Sequence, residues 1–111
     1  MQYKEAFFEE ENGELCVVME LASEGDLAGK IKERFKKGES FFEAEIWRYG
    51  LQVLEGLKQL HSMQIVHRDL KPANIFFSKD DGVKIGDLNV SLQLKDDLAH
   101  TQTGTPNYAS P

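Results

Sequence analysis

Two strand-like apolar runs, residues 3–8 and 15–21, flank the polar stretch Glu9-Glu10-Glu11-Asn12-Gly13-Glu14. Its Asn-Gly pair readily supplies the positive φ of a hairpin turn, so the pattern predicts an antiparallel pair. A helical period follows. Gly25-Asp26 can start a short helix in which Leu27, Ile31 and Phe35 recur every four positions, and Lys36-Lys37-Gly38 closes it. The next helix carries the clearest start signal, because Ser40-Phe41-Phe42-Glu43 fits a capping box. Ile46, Gly50, Val53, Leu54, Leu57 and Leu60 then keep helical spacing through about His61, an apolar face that needs substantial cover. Beyond it the period shortens. Ile65-Val66, a polar loop, the strand-like Ile75-Phe76-Phe77, a turn at Asp80-Asp81-Gly82 and the short strand Val83-Lys84-Ile85 describe a small hairpin with loops at both ends. Residues 92–111 are polar and turn-rich without sustained periodicity, and read as an irregular segment that depends on other parts for its order.

Composition narrows the class without naming a function. The 111 residues suit one small domain, and 41% hydrophobic with 29% charged residues is ordinary for a soluble globular protein. A formal net charge of −6 argues against a nucleic-acid-binding surface, which needs clustered Lys and Arg. The one basic cluster, residues 30–37, is interleaved with acids and reads as a solvated helix face. The single cysteine, Cys16, sits in an apolar run, has no partner for an internal disulfide and reads as a buried small hydrophobe in a reducing compartment. No apolar stretch approaches the roughly 18 residues that span a bilayer, and the first residues lack a signal-peptide core. The expectation is a cytoplasmic protein, with nuclear or cytoskeletal association open, acting without nucleic acid or membrane.

The chemistry concentrates in His67-Arg68-Asp69-Leu70-Lys71-Pro72-Ala73-Asn74. A base, two cations, a carboxylate and an amide lie within eight residues between apolar elements, where a connecting turn needs one or two polar residues. Pro72 pushes Lys71 toward extended backbone, so the loop is shaped to point side chains outward. Taken singly, Asp69 could cap or turn, Lys71 could be a solvated charge and Asn74 an Asx-turn residue. Thirteen residues after Asn74 comes Asp87, at the exit of the short hairpin, followed by Gly104-Thr105-Pro106 and Ser110-Pro111.

Together these segments resemble the catalytic loop, metal-binding loop and activation segment of eukaryotic protein kinases, in order. The resemblance extends over about residues 3–111. In Val18-Met19-Glu20-Leu21, Gly25-Asp26-Leu27, residues 67–76, Gly104-Thr105-Pro106 and Ala109-Ser110-Pro111 it is closest to the NimA-related Ser/Thr kinases. It implies an α+β fold, part of the bilobal kinase architecture. Residues 1–22 would hold the end of the N-lobe and the hinge, and residues 23–111 the upper, mainly helical C-lobe through the activation segment.

The resemblance also implies roles. Asp69 looks like the base that orients and accepts the proton of a substrate hydroxyl, Lys71 like the cation that steadies the γ-phosphoryl group of ATP, and Thr105 like their neighbour in positioning a Ser/Thr substrate. Lys71 points to Ser/Thr rather than Tyr acceptors. Asn74 and Asp87 offer hard oxygens for Mg2+. Met19 resembles the gatekeeper and Glu20-Leu21-Ala22 the adenine-binding hinge, with Asp26 near the ribose and Phe76 beneath the adenine. Met19, Leu21 and Phe76 would double as core and pocket wall. His67 would pack and hydrogen-bond without transferring protons. Arg68 goes with activation by phosphorylation, Thr101 or Thr103 being the acceptor.

The sequence also departs from the pattern. No Gly-rich loop precedes residue 3, no strand lysine or helix glutamate partner is present, and the chain stops at Ser110-Pro111. The expectation is an incomplete record or truncated product of a longer kinase, inactive alone and exposing apolar surface. Where the family usually reads Asp-Phe-Gly this chain reads Asp87-Leu88-Asn89. That spelling divides the work: Asp87 as metal ligand, Leu88 as a smaller apolar packing residue, and Asn89 as the turn, since Asn visits left-handed backbone angles at modest cost. The competing expectation is a pseudokinase, a nucleotide-binding or scaffolding module without catalysis.

Overall fold

The computed structural model describes residue 1, residues 3–80, 82–88, 92–93 and 104–108. The expectations for Asn89, Thr101, Thr103 and Ser110-Pro111 therefore lie outside the described residues.

The chain folds into a mixed α+β arrangement whose strands occur in pairs. Strands β1 (Tyr3–Glu9) and β2 (Glu14–Met19) form an antiparallel hairpin with Glu9 opposite Glu14. The connection is longer than a two-residue Asn-Gly turn. Four residues close it through the Gly13 N–H donating to Glu9 O at 2.9 Å, and the positive φ falls on Gly13 alone of the pair, at 67°. The Asn12 amide donates instead to the Glu9 carboxylate at 3.0 Å. The hairpin packs chiefly on itself, leaving Phe7, Phe8, Leu15 and Val17 about half exposed or more. Cys16 between them is half-buried, short of the burial expected.

Helix α1 (Leu27–Lys37) has the predicted ends. Asp26 caps it by accepting the Gly29 N–H at 2.7 Å, and Gly38 ends it in left-handed backbone at φ 68°. Helix α2 (Glu43–Ser62) begins two residues later than the expected box. Phe42 is the N-cap, without a side-chain oxygen to offer, and Glu45 reaches back to accept the Phe42 N–H at 2.9 Å. Ser40 serves through its carbonyl, which accepts from Arg34 Nη1 at 3.0 Å, while Arg34 also grips Glu45 at 2.6 and 2.9 Å. That bidentate pair ties the end of α1 to the start of α2 and holds the Glu45 carboxyl below its ordinary pKa.

After α2 come β3 (Ile65–Val66), a 3-10 turn at Pro72–Asn74, then β4 (Ile75–Phe77) and β5 (Val83–Ile85), which pair antiparallel as the predicted hairpin. Strand β6 (Leu92–Gln93) pairs with β3 inside the stretch expected to be irregular, since two residues are too few to show a period. Another 3-10 turn spans Pro106–Tyr108.

The core forms where α1, α2 and β4 meet. Phe77 is fully buried, Ile75 nearly so, and the Tyr49 ring meets Phe77 edge-on with centroids 4.9 Å apart. Lys30 lays its ammonium over the Phe77 ring at 3.7 Å. Helix α2 is fixed to the β4–β5 hairpin by Gln52 Oε1, which accepts the Val83 N–H at 2.8 Å, and by Gly56, where a Cβ would stand 3.0 Å from Ile85. This rotates the buried side of α2 to Tyr49, Val53, Gly56 and Leu57. Ile46, Gly50 and Leu54 of the expected stripe are exposed instead. They border an apolar groove of about 590 Å³ that Leu27, Tyr49, Pro72 and Tyr108 also line.

Candidate active site

The loop between β3 and β4 is built around His67, which is 2% exposed. Its Nδ1 accepts the Asp69 N–H at 3.3 Å, which leaves Nε2 as the protonated nitrogen, donating to Gly86 O at 3.0 Å. Arg68 between them takes φ 67°, a turn that brings Asp69 back over the imidazole. The Gly86 N–H donates to Asn74 O at 2.9 Å. The loop bearing Asp69 and the β5 exit bearing Asp87 are thereby joined at two points through one glycine. His67 acts as the packing and hydrogen-bonding residue the sequence suggested.

Four of the candidate residues meet in one cluster. Lys71 Nζ lies 2.7 Å from Asp69 Oδ2 and donates to Thr105 Oγ1 at 2.8 Å. The Thr105 hydroxyl donates to Asp69 Oδ1 at 2.7 Å. Asn74 Nδ2 donates to the Asp69 carbonyl at 2.8 Å and to Oδ2 at 3.3 Å. Pro72 opens the 3-10 turn that directs Asn74 inward, where it is 5% exposed. The Lys71 hydrogen bond, followed by that of Thr105, lowers the Asp69 carboxyl pKa to about 2. Asp69 is thus a fixed anion at neutral pH, with both oxygens oriented.

Asp87 follows directly on Gly86, whose N–H is bonded to Asn74 O, and is exposed. Its own φ is 58°, so the chain already turns through left-handed backbone at Asp87 itself. Aspartate is among the few side chains that tolerate that region. Leu88 does not pack inward as expected: it is 45% exposed. The Asp87 carboxylate and Asn74 Oδ1 accept no hydrogen bond from a described residue, and both are hard oxygen donors. The donor set fits magnesium, which takes one or two protein oxygens and completes its shell with phosphate and water.

Of the candidate nucleotide-binding residues, Asp26 and Phe76 are brought together at β4. Backbone hydrogen bonds join Phe77 N–H to Gly25 O at 2.9 Å and Glu24 N–H to Phe77 O at 3.3 Å, and Asp26 bridges to Phe76. Capping engages Asp26 Oδ1, which accepts the Gly29 N–H. Phe76 closes on Gly86, where a Cβ would stand 2.7 Å from the ring. Met19 ends β2 and is half exposed, Ala22 is half-buried, and Leu21 is 84% exposed, which corrects the reading of Met19 and Leu21 as core. Glu20 forms an ion pair with Lys84 of β5, directly across from Phe76. Sequence reading missed Lys84, because opposite charges 64 positions apart carry no local signal. It also missed the buried Tyr49 and the approach at Gly86.

No helix among the described residues is long and apolar enough to cross a membrane.

A protein kinase domain model matches residues 1–111. The chain is similar to serine/threonine-protein kinase Nek1 of Mus musculus, 42% identical over 113 aligned residues that cover all of this chain and 9% of that protein. It is 40% identical to serine/threonine-protein kinase Nek11 of Homo sapiens, covering all of this chain and 17% of that protein. With the probable serine/threonine-protein kinase nek2 of Dictyostelium discoideum it shares 36% identity, covering all of this chain and 28% of that protein. The chain thus spans well under a third of the length of each of these relatives.

Proposed function

The chain belongs to the protein kinase domain family, and on that premise we propose that its protein transfers the γ-phosphoryl group of ATP to Ser or Thr hydroxyls of protein substrates. The observation that carries the reading is the closed contact among Asp69, Lys71 and Thr105, with Asn74 behind it. Asp69 would accept the hydrogen bond of the incoming hydroxyl and aim its oxygen at phosphorus. A carboxylate held at about 2 is a weak base, so the proton would move late, once the new O–P bond has acidified the hydroxyl. Lys71, already the partner of Asp69, would turn its remaining N–H donors to the transferring group. Thr105 would hold both and shape the seat for a β-hydroxyl acceptor. Asn74 and Asp87 would hold magnesium, which when bound neutralises charge on the phosphate oxygens. Residues 1–22 would contribute the end of the N-lobe and the hinge, with Met19, Glu20 and Ala22 beside the adenine, Phe76 beneath it and Asp26 at the ribose. Residues 23–111 would run from the start of the C-lobe through the activation segment.

A non-catalytic, scaffolding role is not favoured: the catalytic pair and the magnesium donors are all retained, and the kinases to which the chain is similar are named as serine/threonine-protein kinases. Arg68, directly before Asp69, would pair with a phosphate on Thr101 or Thr103 and so link activation to the loop. A cytoplasmic setting, with nuclear or cytoskeletal association, accords with a lone cysteine and protein substrates. The test is phosphoryl transfer by the protein at its full natural length. Asp69→Asn is expected to lower kcat by about 10²–10⁴-fold, and equal rates would refute the assignment.

A further inference from the structure

Thr105 reaches Asp69 and Lys71 only because residue 104 carries no side chain. Gly104 has φ 124°, outside the left-handed well near +57° that Asn and Asp tolerate. A Cβ built there would stand 2.6 Å from Arg68 O, a backbone atom, and 3.9 Å from Asp69 Oδ1. Ordinary carbon–oxygen contacts begin at about 3.3 Å, so one of the two backbones would have to retreat by roughly 0.7 Å or more. Arg68 O is poorly placed to do so. It belongs to the same planar peptide as the Asp69 N–H, which is held by the buried His67 ring, and that ring is held in turn by Gly86 O. The strain therefore falls on the 104–105 side. A retreat of that size takes contacts of 2.7 and 2.8 Å to about 3.4 Å or beyond, outside hydrogen-bonding range.

We propose that Gly104 is a positioning residue, a side-chain-free seat against the Arg68 carbonyl that sets how far Thr105 advances onto Asp69 and Lys71. The proposal rests on the reading of Asp69 as the catalytic carboxylate, but the seat itself can be tested without activity.

In the protein at its full natural length, Gly104→Ala is expected to lower kcat by about 10²-fold while the KM for ATP stays within about twofold. Placed on Thr105→Ala, the same change should add no more than about a further twofold loss, since a residue that acts through Thr105 has nothing left to position. Independently of turnover, a crystal structure of Gly104→Ala should show Thr105 Oγ1 withdrawn to about 3.4 Å or more from Asp69 Oδ1 and Lys71 Nζ. Losses that multiply in the double variant, or a Thr105 hydroxyl still within hydrogen-bonding distance of both partners, would overturn the proposal. So would a Gly104→Ala chain that no longer folds, since the role claimed is local. A wild-type protein without phosphoryl transfer, but with the withdrawal present in Gly104→Ala, would retain the seat and remove the catalytic reading.

Discussion

The β1–β2 hairpin and the loop around Asp69 are both short, yet they are held together in opposite ways. The hairpin has a clean register and strong β-formers, but it leaves Phe8 and Leu15 more than 60% exposed and meets the rest of the chain at few points. A two-stranded hairpin alone is marginal in water, and its geometry relative to other elements is only as firm as its ties. One such tie is the Glu20–Lys84 pair just past β2, with both side chains about a third exposed. The loop has almost no regular structure. It nevertheless buries His67 and Asn74, with both ring nitrogens of one and the amide N–H of the other hydrogen-bonded, and places Asp69 in contact with Lys71, Thr105 and Asn74. Buried polar groups tolerate few arrangements, because each unmade hydrogen bond is costly away from water, whereas exposed apolar strands tolerate many. Precision at the site thus comes from satisfied polar contacts.

Substitutions should separate the two regions by size of effect. Lys71→Met removes the cation that faces both Asp69 and Thr105, and it is expected to reduce kcat by about 10²-fold or more in the full natural-length protein. A loss confined to KM would place Lys71 in ground-state binding only. Asp26→Ala, between the two regions, removes the α1 cap. It should destabilise the fold by about 1 kcal/mol, a fall in Tm of roughly 4–8 °C for a domain near this size, read by calorimetry. An unchanged Tm would mean that the Gly29 N–H finds water as readily. Lys84→Met should have the smallest effect, costing about 0.2–1 kcal/mol or less as a surface pair and changing the KM for ATP more than kcat. A larger kcat effect would show that the hinge is tied to the catalytic loop more tightly than its exposed contacts imply.

Much of this was legible in the sequence, for reasons that differ by residue. Asp26 and Gly38 announce helix ends through local chemistry, and the 67–74 loop stands out by its density of polar groups. The α2 start was misplaced because Ser40 looks like a cap, whereas its carbonyl is drawn to Arg34. The exposed side of α2 could not be read either: helical spacing locates an apolar stripe but not which part of it a neighbour covers, and the anchors at Gln52 and Gly56 depend on a hairpin some 30 residues away. The left-handed angle at Asp87 was not legible, because a carboxylate in that position carries no turn signal as strong as Gly or Asn. Gly104 reads as one turn residue among several until the Arg68 carbonyl is placed against it.

The most direct test of the claim that the loop's own contacts set the site is the titration of the Asp69 carboxyl by NMR, in the wild-type chain and in Lys71→Met. Its folded pKa is lowered to about 2, first by Lys71 and then by Thr105. The charge should therefore persist as pH falls past the ordinary aspartate range and be lost only near 2, with the stabilisation it supports present above that range and lost over the same fall. Removing Lys71 should move the midpoint upward. A wild-type midpoint in the ordinary aspartate range, or one that Lys71→Met leaves in place, would contradict the account.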